Sequence, residues 1–264
     1  MMNFVSTWLI PAQLLVISTA QEVGKFVHRS GFYDITWNVN EERQAMIEFT
    51  SIGPPLPGSP EGTSSFNLVN RHGFYSLSKV GANTYAVGSA ASLHKLIAHQ
   101  LRQADAARAH EPLAGIQPED LTTWTYTSGD GFTTGFRGET IEFMRVAESV
   151  TPGVFEYAES VAPYFKLTYV ILDESIVSIQ ASCNRRRTSQ MPFRLSRRGK
   201  GVQYVRYELE SAGRGTLDQL LYMVNKVCPH RYLVHDDLSH LVVATSNTIY
   251  VTLGGARVAL TRIK

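Results

Sequence analysis

Cysteine is scarce in this sequence of 264 residues, which contains only Cys183 and Cys228. Two cysteines exclude a disulfide framework, and no Cys-x-x-Cys pair or Cys/His spacing suited to zinc is present. We expect two buried free thiols in a reducing compartment, with a single bridge between them as the alternative. The sequence also lacks an Asn-x-Ser/Thr glycosylation acceptor, and both features predict a cytoplasmic protein.

Apolar runs of the length that spans a membrane are also missing. The nearest approach is the N-terminal stretch MMNFVSTWLIPAQLLVISTAQE, which is interrupted by Pro11 and Gln13 and has no preceding Lys or Arg. A signal peptide begins with a basic region. We therefore expect a soluble protein with no leader and no membrane partner.

The signatures of common enzyme classes are not found, because the sequence has no Walker loop, no Gly-x-Ser-x-Gly elbow and no His-Glu-x-x-His motif. The glycines of GDGFTTG, residues 129–135, have GxGxxxG spacing and lie between two strand-like segments. This pattern predicts a hairpin turn and not a phosphate loop at a helix N-terminus. We expect a protein that is not an enzyme and that needs no cofactor.

One short cluster could nevertheless carry chemistry. His235, Asp236, Asp237 and His240 place two imidazoles and two carboxylates within six positions, and such groups can bind a divalent metal or form an acid–base pair. Asp residues also favour tight turns, because their side chains bond to nearby backbone groups. Since strand-like segments flank the cluster, we favour a turn and predict no metal site.

The residue patterns predict an α+β fold built mainly from antiparallel sheet, with two principal helices. Alternating apolar and polar residues mark half-buried strands, most clearly at 176–183. Apolar residues at helical spacing predict a long helix over Ser89–His110. Thr216 and Gln219 form a capping box that opens a second helix, and Thr151–Pro152 is typical of the start of a third, shorter one.

We expect two loosely divided lobes. A loop rich in Pro and Gly at 53–65 interrupts the first, and its Pro-x-x-Pro spacing is more typical of a surface loop than of a ligand for a recognition domain. Residues 111–120 form the candidate boundary. The predicted lobes are therefore residues 1–110, β-rich and ending in the long helix, and residues 121–264, an α+β lobe with an antiparallel meander.

Positive charge is concentrated in one place. The chain has 25 Lys and Arg against 23 Asp and Glu, and seven of the basic residues lie in NRRRTSQMPFRLSRRGK, residues 184–200, which contains no acid. Without this segment, 18 basic residues face 23 acidic ones, a net charge of −5. The pattern therefore favours contact between this segment and one anionic surface of a partner, and not a protein that is cationic over its whole surface.

The basic segment is predicted to be a long functional loop between two strands. Arginine offers a planar fork for carboxylate or phosphate groups, and an aromatic residue adds apolar contact. The candidate binding residues are Arg185, Arg186, Arg187, Phe193, Arg194, Arg197, Arg198 and Lys200.

These features favour a non-catalytic interaction or assembly protein, which uses the loop and its sheet edges to bind an acidic protein partner or further copies of itself. The alternative is an RNA or single-stranded nucleic-acid binder whose loop follows phosphates. Ordinary globular composition without a recognised cellular motif also suggests a viral or phage origin, although no individual residue carries that suggestion.

Overall fold

The computed structural model describes residues 22–31, 33–52, 67–88, 91–103, 110, 112–146, 148–199, 205–213 and 215–263. Residues 1–21 of the leader-like stretch, the loop at 53–65 and Lys200 lie outside the described residues. Over the residues described, the chain forms seventeen β-strands and two α-helices, and the strands build two closed antiparallel β-barrels in succession.

The first barrel is an up-and-down meander in which each strand pairs with its neighbour in sequence. Its strands are β1 (Gly24–Arg29), β2 (Tyr33–Val39), β3 (Gln44–Ile52), β4 (Asn67–Lys79), β5 (Thr84–Val87), β6 (Thr123–Ser128), β7 (Gly131–Phe136) and β8 (Glu139–Val146). The barrel closes where β8 pairs with β1, with Val27 opposite Met144. Closure removes the unpaired edges that an open sheet would expose.

Aromatic side chains fill the interior of this barrel. Trp37 meets Trp124 edge-on with ring centroids 4.7 Å apart, and Phe132 stacks on Trp124 at 4.6 Å and on Phe143 at 4.8 Å. Each of these rings is buried on the inward face of its strand, because successive side chains of a strand point to opposite faces. The interior is therefore a packed core.

The second barrel has a less regular strand order. Its strands are β9 (Gly153–Ala158), β10 (Lys166–Ile171), β11 (Ile176–Cys183), β12 (Arg186–Arg187), β13 (Met191–Arg198), β14 (Arg206–Ser211), β15 (His240–Val243), β16 (Thr248–Leu253) and β17 (Ala256–Arg262). The order around the sheet is β10-β9-β17-β16-β15-β14-β13-β11, and β10 pairs with β11 to close it. The two-residue β12 is added beside β11.

Two helices accompany the barrels. Helix α1 (Ala91–Gln103) follows β5 and places Leu93, Ile97 and Leu101 in the core, while Leu96 is largely exposed. Helix α2 (Leu217–Val227) lies between β14 and β15, and Thr216 and Gln219 form the predicted capping box at its start. In the described part of the chain, neither helix is long and apolar enough to cross a membrane.

The α+β class predicted from the sequence is wrong, because the molecule is built from two closed eight-stranded antiparallel barrels with only two helices in the described residues. The short helix predicted after Thr151–Pro152 is also wrong, since that segment forms β9. Val154, Phe155 and Ala158 fit a helical stripe by spacing, but pairing with β10 and β17 decides their conformation.

The predicted boundary at 111–120 lies inside the first barrel. It connects α1 to β6, and three strands that follow it, β6, β7 and β8, still pair within that barrel. The chain passes to the second barrel between Val146 and Gly153. Local composition marks the loop at 111–120, but the division between the barrels depends on long-range strand pairing.

Candidate functional site

Residues 184–199 of the basic segment fold as a hairpin and a strand, so the predicted long loop is wrong. After β11 the chain turns at Asn184 and Arg185, and β12 pairs back on β11 with Arg186 opposite Cys183. Asn184 has a φ of 52°, a left-handed conformation that Asn tolerates better than most residues. The segment then continues through β13, which pairs with β11 and β14.

The alternation of β13 separates two groups of candidate residues. Met191, Phe193 and Leu195 point into the second barrel, and Phe193 is 0% exposed. Phe193 therefore supports the core and cannot contact a partner. Arg194 lies on the outer face and is exposed, as are Arg197 and Arg198 at the end of the strand.

Acidic residues of the neighbouring strand engage Arg198. Its Nε donates to Glu208 Oε2 at 2.8 Å and its Nη2 lies 3.3 Å from Glu210 Oε1, while Arg206 Nη2 donates to the other oxygen of Glu208 at 3.1 Å. The hydrogen bond from Arg198 lowers the pKa of Glu208 below its ordinary value. Positive and negative groups thus alternate on the outer face of β13 and β14.

Five arginines of the segment remain exposed without an ion pair to any described residue. They are Arg185, Arg186, Arg187, Arg194 and Arg197. The first three are consecutive and occupy the hairpin at one end of the barrel. Positive charge that can meet a partner is therefore concentrated at this hairpin.

The hairpin borders a surface depression that we call the arginine cleft. Its lining residues, which define it, are Pro163, Cys183, Asn184, Arg185, Arg186, Val227, Cys228, Pro229 and His230, and its volume is about 460 Å³. Arg185, Arg186 and His230 line it, and none of its described lining residues carries a carboxylate. Proline and valine side chains supply apolar walls. This combination suits a ligand that is both anionic and partly apolar.

Three segments distant in sequence are tied together around the cleft. A disulfide joins Cys183, at the end of β11, to Cys228, which follows α2. The backbone N–H of Asn184 donates to Pro163 O at 2.9 Å. Arg231 forms a close ion pair with Glu159 and lies over the Phe165 ring at 5.0 Å. Covalent and polar contacts therefore hold the three segments together.

The disulfide corrects the expectation of two free thiols. Cys183 and Cys228 are both buried and bonded to each other, and no described cysteine is free. Their separation of 45 residues gave no indication of pairing, because contact depends on the turn after β11 and the end of α2 meeting at the same end of the barrel. The bridge that we considered as the alternative is the one observed.

Large apolar side chains are exposed on the segments that form the cleft. Tyr164 is 57% exposed and follows the cleft residue Pro163, while Val161 lies in the same connection between β9 and β10. Tyr232 is 74% exposed and lies two residues after His230. Protein interfaces are enriched in aromatic residues and arginine. The sequence pattern does not distinguish these tyrosines, because alternation of apolar and polar residues does not report their exposure.

A second unusual arrangement lies between the barrels. Arg145 on β8 is 0% exposed; it donates to Val23 O and, at 2.9 Å, to Gly129 O. Its guanidinium lies over Phe26 of the first barrel and Tyr250 of the second, at 4.5 and 5.2 Å from the ring centroids. The alternation of β8 could have indicated that Arg145 is buried, because Arg145 lies on the same face of the strand as the buried Ile141 and Phe143.

Further polar contacts join the two barrels. Tyr250 accepts a hydrogen bond of 2.9 Å from Val23 N–H, and Glu41 of the first barrel accepts from Thr245 at 2.6 Å and from Thr248 at 2.8 Å. Burial raises the pKa of Glu22 above its ordinary value, against the opposing effect of the neighbouring arginines. These groups satisfy one another, so we assign them a structural role.

The His235–His240 cluster forms a turn. Both oxygens of the buried Asp237 accept backbone N–H groups, from Val234 and Gly254 at Oδ2 and from Gly255 at Oδ1. Across the described ranges, no group of three or more His, Cys, Asp and Glu residues is placed to hold a metal ion. The carboxylate of Asp237 is thus occupied by the backbone groups that it orders.

Comparison with known proteins identifies no relative of this chain. No protein-family model matches the chain, and no match is found among the curated proteins or the solved structures. The function is therefore inferred from the geometry of the arginine cleft.

Proposed function

We propose that this protein is a non-catalytic binding protein whose arginine cleft takes an acidic, partly apolar surface of a protein partner. The observation that carries the proposal is the meeting of Arg185, Arg186 and His230 around a cleft whose lining, over the part of the chain that the structure describes, contains no carboxylate. Arginine forks bind carboxylates through paired hydrogen bonds. Exposed Tyr164 beside the cleft adds the kind of aromatic contact that dominates many interfaces.

A protein partner fits the distribution of charge better than a nucleic acid. Binding of a single strand uses a continuous positive groove with aromatic side chains on which bases stack. Here Phe193 is buried, and Glu208 and Glu210 interrupt the positive charge along the outer face of β13 and β14. The positive surface is short and local, which matches one acidic patch.

We do not propose that open sheet edges bind a partner. Both barrels are closed, and among the described strands only the short β12 is added outside the ring. A contact through the cleft depends on side chains rather than on strand addition.

The probe for this proposal is a fluorescein-labelled peptide of alternating leucine and glutamate, measured by fluorescence anisotropy at low salt. Matched ligands are a leucine–lysine peptide of the same length and mixed-sequence single-stranded DNA and RNA. We expect the acidic peptide to bind, the lysine peptide not to bind, and Arg185→Gln/Arg186→Gln to weaken acidic-peptide binding at least tenfold.

Two results would overturn the proposal. If the acidic peptide does not bind the unmodified protein, the cleft does not recognise acidic surfaces. If RNA or single-stranded DNA binds more tightly than the acidic peptide, with an affinity that falls steeply as salt rises, the protein is a nucleic-acid binder instead.

The cytoplasmic location predicted from the sparse cysteines depends on two free thiols. Disulfides persist mainly in oxidising compartments, so the Cys183–Cys228 bond favours such a compartment. Free thiols can be alkylated at the moment of lysis of the native source and identified by mass spectrometry. This experiment decides between an oxidising compartment and the cytoplasm. An unalkylated pair supports the oxidising compartment, and two alkylated cysteines support the cytoplasm.

A further inference from the structure

An acidic turn lies at the opposite end of the strand that leads to the arginine cleft. This turn, Leu172–Ser175, connects β10 to β11. Leu172 is 58% exposed, and Asp173 and Glu174 are exposed beside it. Neither acid forms an ion pair with a described residue. The turn therefore presents an apolar side chain next to two unpaired carboxylates.

The acidic turn has a fixed shape. Oδ1 of Asp173 accepts the N–H of Ser175 at 2.7 Å, the hydroxyl of Ser175 at 2.8 Å and the N–H of Ile176 at 2.9 Å. These bonds order the backbone of the turn and leave Oδ2 of Asp173 and the side chain of Glu174 free for an external contact. A pre-ordered loop loses less entropy when it docks.

The chemistry of the turn complements that of the cleft. The cleft offers Arg185, Arg186 and His230 with walls of proline and valine, and the turn offers two carboxylates and a leucine. Strand β11 separates them by about 24 Å, since a strand advances about 3.4 Å per residue. The turn of one molecule therefore cannot reach the cleft of the same molecule.

We propose that the partner of the arginine cleft is a second copy of this chain, which inserts its acidic turn into the cleft. This inference rests on the proposed function, because it names the partner of the same cleft. Leu172 would pack against Pro163, Val227 and Pro229, and Asp173 and Glu174 would face the cations.

The contact joins two different surfaces, so after the first contact one molecule keeps a free cleft and the other keeps a free turn. Such head-to-tail association continues until it closes a ring or forms a chain. A loop in a cleft makes a small interface, and small interfaces are weak. Association should therefore increase with protein concentration and decrease with added salt, because salt screens its charge pairs.

The experiment measures mass by light scattering and sedimentation velocity on the full chain. The unmodified protein should exceed the monomer mass of 29.4 kDa at high concentration and low salt. The cleft variant Arg185→Glu/Arg186→Glu and the turn variant Leu172→Ser/Glu174→Lys should each remain monomeric. Lys79→Glu/Lys95→Glu, which changes exposed charges on β4 and α1, should associate like the unmodified protein.

Mixing the two monomeric variants gives the decisive result. The cleft variant keeps an intact turn and the turn variant keeps an intact cleft, so an equimolar mixture should form a dimer and nothing larger. Thermal melts of each variant check that it is folded, and the single changes Arg185→Gln and Glu174→Ala replace any variant that is not.

Some outcomes would overturn the inference. The inference is wrong if the protein stays at 29.4 kDa at every concentration. It is also wrong if the mixture of the two variants remains monomeric. If the unmodified protein is monomeric but binds the leucine–glutamate peptide through Arg185 and Arg186, self-association is wrong and the proposed function stands. If that peptide also fails to bind, both are wrong.

Discussion

Asp130 and Arg257 link the two barrels through a hydrogen bond of 2.6 Å between Oδ1 of the first and Nη1 of the second. The same oxygen accepts Nε–H of Arg145 at 2.9 Å. Glu22 adds a second carboxylate, 3.3 Å from Arg145 Nη2 and 3.6 Å from Arg257 Nε. Two arginines and two acids thus form a charge-balanced, largely buried cluster that fixes how one barrel rests on the other.

Replacing Arg145 with Gln should destabilise the protein by about 3–5 kcal/mol, because removing one partner leaves buried carboxylates without their counter-charge. Urea unfolding followed by fluorescence measures the change. The matched control is Arg29→Gln, since Arg29 is exposed and its nearest oxygen of Asp34 is 4.0 Å away; we expect a change below about 0.5 kcal/mol there. Similar losses in both variants would show that the buried cluster is not a special contributor.

Gly24 should not tolerate a side chain. Its φ is +127°, and a Cβ atom would lie 2.2 Å from Nη1 of Arg145 and 3.0 Å from Ala244 O. We expect Gly24→Ala to lower the free energy of unfolding by more than about 2 kcal/mol, because backbone strain and a buried clash act together. Gly73→Ala is the control, since nothing lies within 4 Å of its added Cβ. Equal stability of the two variants would contradict the tight contact between Gly24 and Arg145.

His240 should make stability depend on pH. Burial lowers its pKa from the ordinary value of 6.5, and Arg206 and Arg257 lower it further. The folded state then binds a proton less readily than the unfolded state. This contribution is fully present above pH 6.5 and is lost as the pH falls through the lower folded-state pKa.

Chemical denaturation across this pH range tests that dependence, with His240→Asn as the variant that lacks the titrating group. The difference in unfolding free energy between the two proteins should change with pH in the stated direction. An NMR titration in which the ring of His240 has a pKa above 6.5 would refute the burial argument.

The disulfide should contribute roughly 2–4 kcal/mol to stability, because it closes a long loop in the unfolded chain. We expect Cys183→Ala/Cys228→Ala to lose this amount in urea unfolding. The unmodified protein in excess reductant serves as the control and should approach the stability of the variant. No effect of reductant on the unmodified protein would show that the two sulfurs are not bonded in solution.

Local signals in the sequence predicted several elements correctly. The capping box of Thr216 and Gln219 opens α2, and β6 and β7 form the hairpin expected around Gly129–Asp130. The alternation at 176–183 marks β11. Each of these features depends on residues within a few positions of one another, which is the range over which periodicity and turn preferences act.

The errors concern contacts between distant residues. Closure of the first barrel depends on the pairing of β1 with β8, for example Val27 with Met144, and no local pattern reports that pairing. Likewise, β13 looks like a loop because Pro192 and several arginines interrupt its apolar pattern, although Phe193 is buried. The cleft itself could not be predicted from the sequence, because its three segments meet only after the second barrel has formed.

The most direct test of the account compares two charge-matched variants in titration calorimetry with the leucine–glutamate peptide. Arg185→Gln/Arg186→Gln removes two charges from the arginine cleft, and Arg194→Gln/Arg197→Gln removes two exposed charges from β13, outside it. We predict at least a tenfold loss of affinity, about 1.4 kcal/mol, for the first variant and less than about a threefold loss for the second, because exposed charges at a distance are screened. Equal losses, or a greater loss for the second variant, would contradict the assignment of binding to the cleft.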